Sequence, residues 1–143
     1  MLVKQLSIFL ENRSGRLEEI TGVLQNNKIN IRALSLADTS DYGILRLIVN
    51  EPEKAEKVLK ENDIAVSINT VLAVIIPDQP GGLYSILSPL TNSGINIEYM
   101  YAFLAKKEND AIIIFRFEDP EKASKTLINN NFKLISSEEL LKM

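Results

Sequence analysis

The chain is written twice, and that duplication constrains its fold more than any other feature. The stretch PDQPGGLYSILSPLTNSGINIEYMYAF runs from Pro77 to Phe103, and a looser copy, LENRSGRLEEITGVLQNNKINIRALSL, starts at Leu10. Gly15 answers Gly81, Leu17 answers Leu83, Ile20 answers Ile86 and Leu24 answers Leu90, all at one offset. The tripeptide Ile-Asn-Ile recurs at 29–31 and 95–97 at that offset too. Copying resumes at NEPEKAEKVL and EDPEKASKTL after a slight lengthening, with the slack in 106–110. Two halves follow, 1–69 and 70–143, with no Gly-, Pro- or Ser-rich linker between them.

Each half is small. A domain near 60 residues buries only about 60% of the surface of its unfolded chain, so the halves are expected to pack on each other or on another chain. The hydrophobic share of 45% and charged share of 24% are ordinary for a globular protein. A net charge of −3 gives no field for nucleic acid or an anionic membrane. Cysteine and histidine are both absent, which removes thiolate metal sites, Cys and Ser-His nucleophiles and the usual neutral-pH titrator. No catalytic or metal-ligating set is expected, and no cofactor. The opening MLVKQLSIFLENR reads as a strand and not as a leader, and no apolar run reaches the roughly 20 residues of a spanning helix. A cytoplasmic location is expected.

Hydrophobic spacing gives the element order. Lys4–Leu10 is a short apolar strand, and Ser14 stands where a helix N-cap would be. Leu17, Ile20, Thr21 and Leu24 then fall on one helical face. Strands are expected at Ile29–Ala37, Ile44–Val49 and Ile64–Asn69, around a helix opened by Pro52 with Ala55, Val58 and Leu59 inward. The second half repeats this at Val71–Ile76, Leu83–Ser93, Ile95–Leu104, Ala111–Phe117, Pro120–Asn130 and Phe132–Ile135, with Pro89 kinking its first helix. Polar turns are expected at 38–43 and 106–110. The pattern is α+β: two ferredoxin-like βαββαβ sandwiches, antiparallel sheets with helices on one face.

In the second half both strand faces read as apolar, Leu72, Val74 and Ile76 against Val71, Ala73 and Ile75, and Ile113, Phe115 and Phe117 against Ile112 and Ile114. Helices cover one face only. The other is expected to be an exposed patch, and to pack sheet against sheet in a homodimer.

The loops before the first helix of each half carry the candidate chemistry. Glycine there lets a ligand approach the backbone, and first-turn N–H groups attract a small anion. Asn12 and Asp78 stand beside those turns; the carboxylate of Asp78 can accept from an ammonium group. The combination suits a free α-amino acid, although ordinary turn chemistry also explains it. Asn30 and Asn96 are amides at strand starts, where propensity disfavours them. They read either as retained turn residues or as amides reaching a ligand.

These residues resemble the ACT domain family, ferredoxin-like modules that bind amino acids and regulate enzymes of amino-acid metabolism. The resemblance covers the whole chain as a stand-alone tandem of two modules. The second half matches at Asp78, Pro80, Gly81, Leu83, Gly94, Asn96 and Ile97, with Gly82 beside them. The first matches at Asn12, Gly15, Leu17, Asn30 and Ile31, with Ser14 in place of the proline and Lys28 in place of the glycine. The resemblance implies two ACT-like sandwiches packed side by side with an effector between them. One site would join Asn12, Ser14, Gly15 and Leu17 to Asn96; its twin would join Asp78, Pro80, Gly81 and Leu83 to Asn30.

Other candidates are weaker. Tyr99 and Tyr101 alternate along a strand and are expected in the core or facing the helices, with ligand stacking as the alternative. Glu18-Glu19 and Asp38/Asp41 read as solvated surface. The leading function is regulatory binding of a free L-amino acid, with an enzyme or transporter of amino-acid metabolism as the regulated partner. The alternative is an interaction module with a decayed ligand site, acting through its apolar sheet face. RNA binding is disfavoured by charge, and catalysis by the missing histidine and cysteine.

Overall fold

The computed structural model describes residues 2–38, 41–103 and 108–143. Its elements are β1 (Val3–Glu11), α1 (Arg16–Asn26), β2 (Ile31–Asp38), β3 (Tyr42–Val49), α2 (Pro52–Glu61), β4 (Val66–Pro77), α3 (Gly82–Asn92), β5 (Ile97–Ala102), β6 (Asp110–Phe117), α4 (Pro120–Asn129), β7 (Lys133–Ile135) and α5 (Ser137–Leu141). The strands expected at Ile64–Asn69 and Val71–Ile76 form one strand, β4, because no turn residue separates them. Thr39 and Ser40 of the first expected turn lie outside the described residues. So do Leu104, Lys106 and Lys107 of the last long strand and its tip. The chain divides into two compact units, Lys4–Asn69 and Thr70–Met143, the latter joined by the chain start through Val3.

In the first unit the strand order is β2-β3-β1-β4, antiparallel from β2 through β3 to β1. The Phe9 N–H donates to the Ala65 carbonyl just before β4, at 3.0 Å. Alternation sends Leu6, Ile8, Leu10, Leu45, Leu47 and Val49 to one face. There they meet Ile20 and Leu24 of α1 and Ala55, Val58 and Leu59 of α2. Pro52 takes the first helical turn, where its missing donor costs nothing.

The second unit repeats the design with order β5-β6-β4-β7. Leu72, Val74, Ile76, Ile113, Phe115 and Phe117 face Ile86 and Leu90 of α3 and Ala123 and Leu127 of α4. The Phe115 and Phe117 rings stack at 5.5 Å. Each unit is therefore an α+β ferredoxin-like sandwich.

Four helices end the same way. Lys28, Asp63, Gly94 and Asn131 each adopt the left-handed conformation just beyond α1, α2, α3 and α4. The next N–H, of Ile29, Ile64, Ile95 or Phe132, returns to Leu24, Leu59, Leu90 or Leu127, satisfying carbonyls the helix leaves open.

Two further expectations are corrected. Val71, Ala73, Ile112 and Ile114 lie at no more than 1% exposure, so the second apolar face of that sheet is buried within the chain and is no free patch. Alternation shows that a face is apolar but not what covers it, and the sheet-against-sheet argument for a homodimer falls with the patch. Tyr99 and Tyr101 pair with Arg116 and Ile114, on the face away from the helices, and are half-buried there. Finally, 137–141 form an unforeseen helix. Ser136 caps it by accepting from the Glu139 N–H while the Glu139 carboxylate accepts from Ser136.

Candidate functional site

The first loop leaves β1 at Glu11 and turns at once. The Arg13 N–H donates to the Glu11 carbonyl (2.9 Å), and the Asn12 N–H to that of Asp41 (3.1 Å). Ser14 is not the cap. The N-cap residue is Gly15, at φ +85°, with no side chain to accept from the first turn. The Arg16 N–H donates to the Arg13 carbonyl at 3.3 Å, and no side chain caps the rest of the first turn, where N–H groups favour water or an anion.

A cleft of about 120 Å³ opens where this loop meets the sheet, lined by Leu10, Glu11, Asn12, Arg13, Leu17, Leu36 and Gly43. β1 supplies Leu10 and Glu11, α1 supplies Leu17, and β2 and β3 supply Leu36 and Gly43. Of the residues named from sequence, the structure brings Asn12 and Leu17 together here. Ser14 and Gly15 belong to the same loop but do not line the cleft. Leu10, Glu11, Arg13, Leu36 and Gly43 were not foreseen. The loop's own charges could have suggested Glu11 and Arg13, but nothing in the sequence ties Leu36 and Gly43 to a loop so far up the chain.

The rim is charged. Arg13 Nε pairs with Glu11 Oε2 at 3.3 Å and Arg13 Nη2 with Glu19 Oε2 at 3.1 Å; Arg16 Nη1 meets the same Glu19 oxygen at 3.1 Å. The hydrogen bond from Arg16 holds the Glu19 carboxyl below its ordinary value. Arg13 adds to this and partial desolvation opposes it.

The second loop is tighter and differently furnished. The Asp78 N–H donates to the Asn109 carbonyl (2.9 Å), and the Gly82 N–H to that of Gln79 (2.9 Å). Gly81 repeats φ +85° and heads α3 without a side-chain cap. Pro80 and Gly81 lie exposed in the turn, and Leu83 is partly exposed on the first turn of α3. Gly82 is buried, and a Cβ there would fall 2.0 Å from the Pro77 carbonyl oxygen. Its glycine is therefore demanded by the turn itself, whatever the loop binds.

Asn30 and Asn96 are exposed and stand just before β2 and β5, not within them. Asn30 and Ile31 line a second cleft with Thr21, Leu24, Gln25, Lys28 and Ile29. The Asn30 N–H donates to Asn50 Oδ1 at 3.0 Å. Asn96 lines another with Gly94, Ile95, Glu118, Asp119 and Lys122, while Ile97 follows as the first residue of β5. Neither of these two clefts includes the loop glycine of its own unit. Among the described residues no group of acidic side chains is placed to hold a metal ion, and no helix is long and apolar enough to cross a membrane.

A family model described as an ACT domain pair matches residues 1–143. A crystal structure of a protein from Bacteroides thetaiotaomicron is 43% identical, covers 100% of this chain and 98% of its own, and superposes at a TM-score of 0.93. The ligand-free regulatory subunit of aspartate kinase from Thermus thermophilus matches at 14% identity and a TM-score of 0.64, over 90% of this chain and 93% of that one. Aspartokinase III of E. coli, in complex with aspartate and ADP, matches at 16% and 0.56, over 90% of this chain but 32% of that one. The last two likenesses are of fold. No curated protein sequence matches the chain.

Proposed function

This chain belongs to the ACT domain family as a pair of ACT domains, and we propose that it senses a free amino acid and passes that signal to a protein of amino-acid metabolism. The observation that carries the proposal is the first-unit cleft. It gathers Asn12 and Leu17, two of the residues that the family resemblance implies, beside a paired cation and anion at the head of a helix whose first turn has no side-chain cap. A free amino acid needs those elements: donors for a carboxylate, an acceptor for an ammonium, and a wall for a side chain. Aspartate kinase regulatory subunits carry the same fold in an amino-acid-metabolic enzyme, which supports the pathway class. The chain has no histidine or cysteine; the proposed role is regulatory and non-catalytic, and the proposed location is the cytoplasm.

The proposed sites are Asn12, Ser14, Gly15 and Leu17 at the first loop, and Asp78, Pro80, Gly81, Gly82 and Leu83 at the second. A facing ACT module, in this chain or in a second copy, would complete each with Asn96 and Ile97 or Asn30 and Ile31. Ligand would then act by binding one arrangement of modules better than another. Thermal-shift and calorimetric titration of the full chain against the twenty amino acids tests this. At least one is expected to raise Tm with saturation, and no response from any of them would overturn the proposal.

A further inference from the structure

We infer that the first-unit cleft is selective for α-amino acids with an apolar side chain, leucine-like or phenylalanine-like. This rests on the amino-acid reading above and names its ligand class. The walls make the case. Leu17 and Leu36 are 40% and 49% exposed although they line a concavity, and Leu10 closes its floor. Single exposed leucines need no explanation, but three converging from α1, β2 and β1 offer apolar area that a ligand would take from water.

Gly43 supplies the room. It lies inside β3, where glycine is disfavoured, and its φ is not positive, so the backbone does not require it. A Cβ built there would stand 3.5 Å from Leu36 Cδ1 and 3.7 Å from Leu10 Cδ2, in ordinary contact with two of the cleft's own leucines. Glycine leaves that contact to a ligand. A volume of about 120 Å³ is well below the roughly 300–1,000 Å³ of sites that engulf large ligands, and suits one side chain.

The head group is met at the rim. Glu11 and Arg13 are half exposed and paired at 3.3 Å, and such surface pairs hold one another weakly. A zwitterion matches them: its carboxylate accepts from the Arg13 guanidinium, its ammonium donates to the Glu11 carboxylate, and Arg13 keeps its tie to Glu19. A charged side chain pressed on the leucines would be desolvated without a partner.

Calorimetry on the full chain with leucine, phenylalanine, aspartate and lysine tests the inference. Leucine or phenylalanine is expected to bind at least tenfold tighter than aspartate and lysine. Gly43→Val should remove that binding. Should it fail to fold, Leu36→Gln, at a half-exposed edge position, should weaken binding about tenfold. Arg13→Gln should cost leucine about tenfold, the worth of a charged hydrogen bond, yet leave leucinol, which has no carboxylate, unchanged. Aspartate or lysine binding as tightly as leucine would overturn the class and leave amino-acid sensing standing. Leucine binding untouched by the Gly43, Leu36 and Arg13 variants would put its site elsewhere and overturn the inference. Silence from all four ligands would overturn it, and the twenty-ligand screen would then decide the broader proposal.

Discussion

Gly15 and Gly81 share a φ of +85°, and each heads a helix without a side-chain cap, yet the loops around them use different chemistry. The first is Glu-Asn-Arg-Ser-Gly-Arg, with two guanidiniums converging on Glu19. The second is Pro-Asp-Gln-Pro-Gly-Gly, closed so tightly that Gly82 lies against the Pro77 carbonyl. In the first unit the position answering Gly82 is Arg16, whose side chain reaches out to Glu19. The left-handed glycine before the helix is thus common to both copies, while the closure of the turn behind it and its side chains have diverged. One fold presents two unlike loop surfaces.

The sharpest test of that difference is Gly82→Ala against Arg16→Ala. Alanine normally strengthens a helix by about 1 kcal/mol over glycine. Here the new methyl would enter at 2.0 Å from a backbone oxygen, so the turn must open. Gly82→Ala is expected to lose about 3 kcal/mol in urea unfolding, the range of a severe overpacking. Arg16→Ala should lose only about 1 kcal/mol, from packing of its mostly buried stem. Equal losses would mean that the two turns are not built differently.

What the sequence made legible follows the same division. The repeat located both turns and the helices α1 to α4, because the period of Leu17, Ile20 and Leu24 and its echo at Leu83, Ile86 and Leu90 is a local signal. Ser14 misled because a left-handed glycine at the next position took the N-cap, and a propensity for capping cannot foresee which residue the turn places there. The small helix after Ser136 was signalled by its Ser-x-x-Glu spacing, but five residues carry too little periodicity to stand out. The cleft was half legible. Asn12 and Leu17 lie in the repeated loop, whereas Leu36 and Gly43 arrive through the β2–β3 pairing, a tertiary event. The buried second face of β4 and β6 escaped for a related reason, since a strand's pattern does not record what covers it.

The helix ends offer a second comparison, with effects of opposite sign. Lys28 and Gly94 occupy answering positions beyond α1 and α3, at φ 58° and φ 69°. A side chain in that region costs roughly 1–2 kcal/mol, part of which glycine returns through its freer unfolded chain. Lys28→Gly is therefore expected to stabilise the protein by about 1 kcal/mol, and Gly94→Ala to destabilise it by about 1 kcal/mol. Thermal unfolding of both variants checks this, and a Lys28→Gly protein that melts lower than wild type would show that the Lys28 side chain makes up for its strain.

The smallest expected effect separates the loops by pH. Glu19 has no acidic counterpart in the second unit, where Ser85 stands instead and donates to the Gly82 carbonyl at 2.6 Å. Arg16 first, and Arg13 after it, hold the folded-state Glu19 carboxyl below its ordinary 4.5. A depressed carboxyl stabilises the fold above its unfolded value, and that contribution fades as pH falls through the lower, folded value. Wild type should therefore exceed Glu19→Gln in stability at pH 7, by a small margin because the carboxylate is exposed. The margin should shrink steadily below about pH 4.5 and vanish in acid. Ser85→Ala, which removes a neutral hydroxyl, should shift stability by the same amount at every pH. If both variants track wild type in parallel from neutral pH into acid, the arginine cluster does not hold the first loop, and the electrostatic distinction between the two turns is lost.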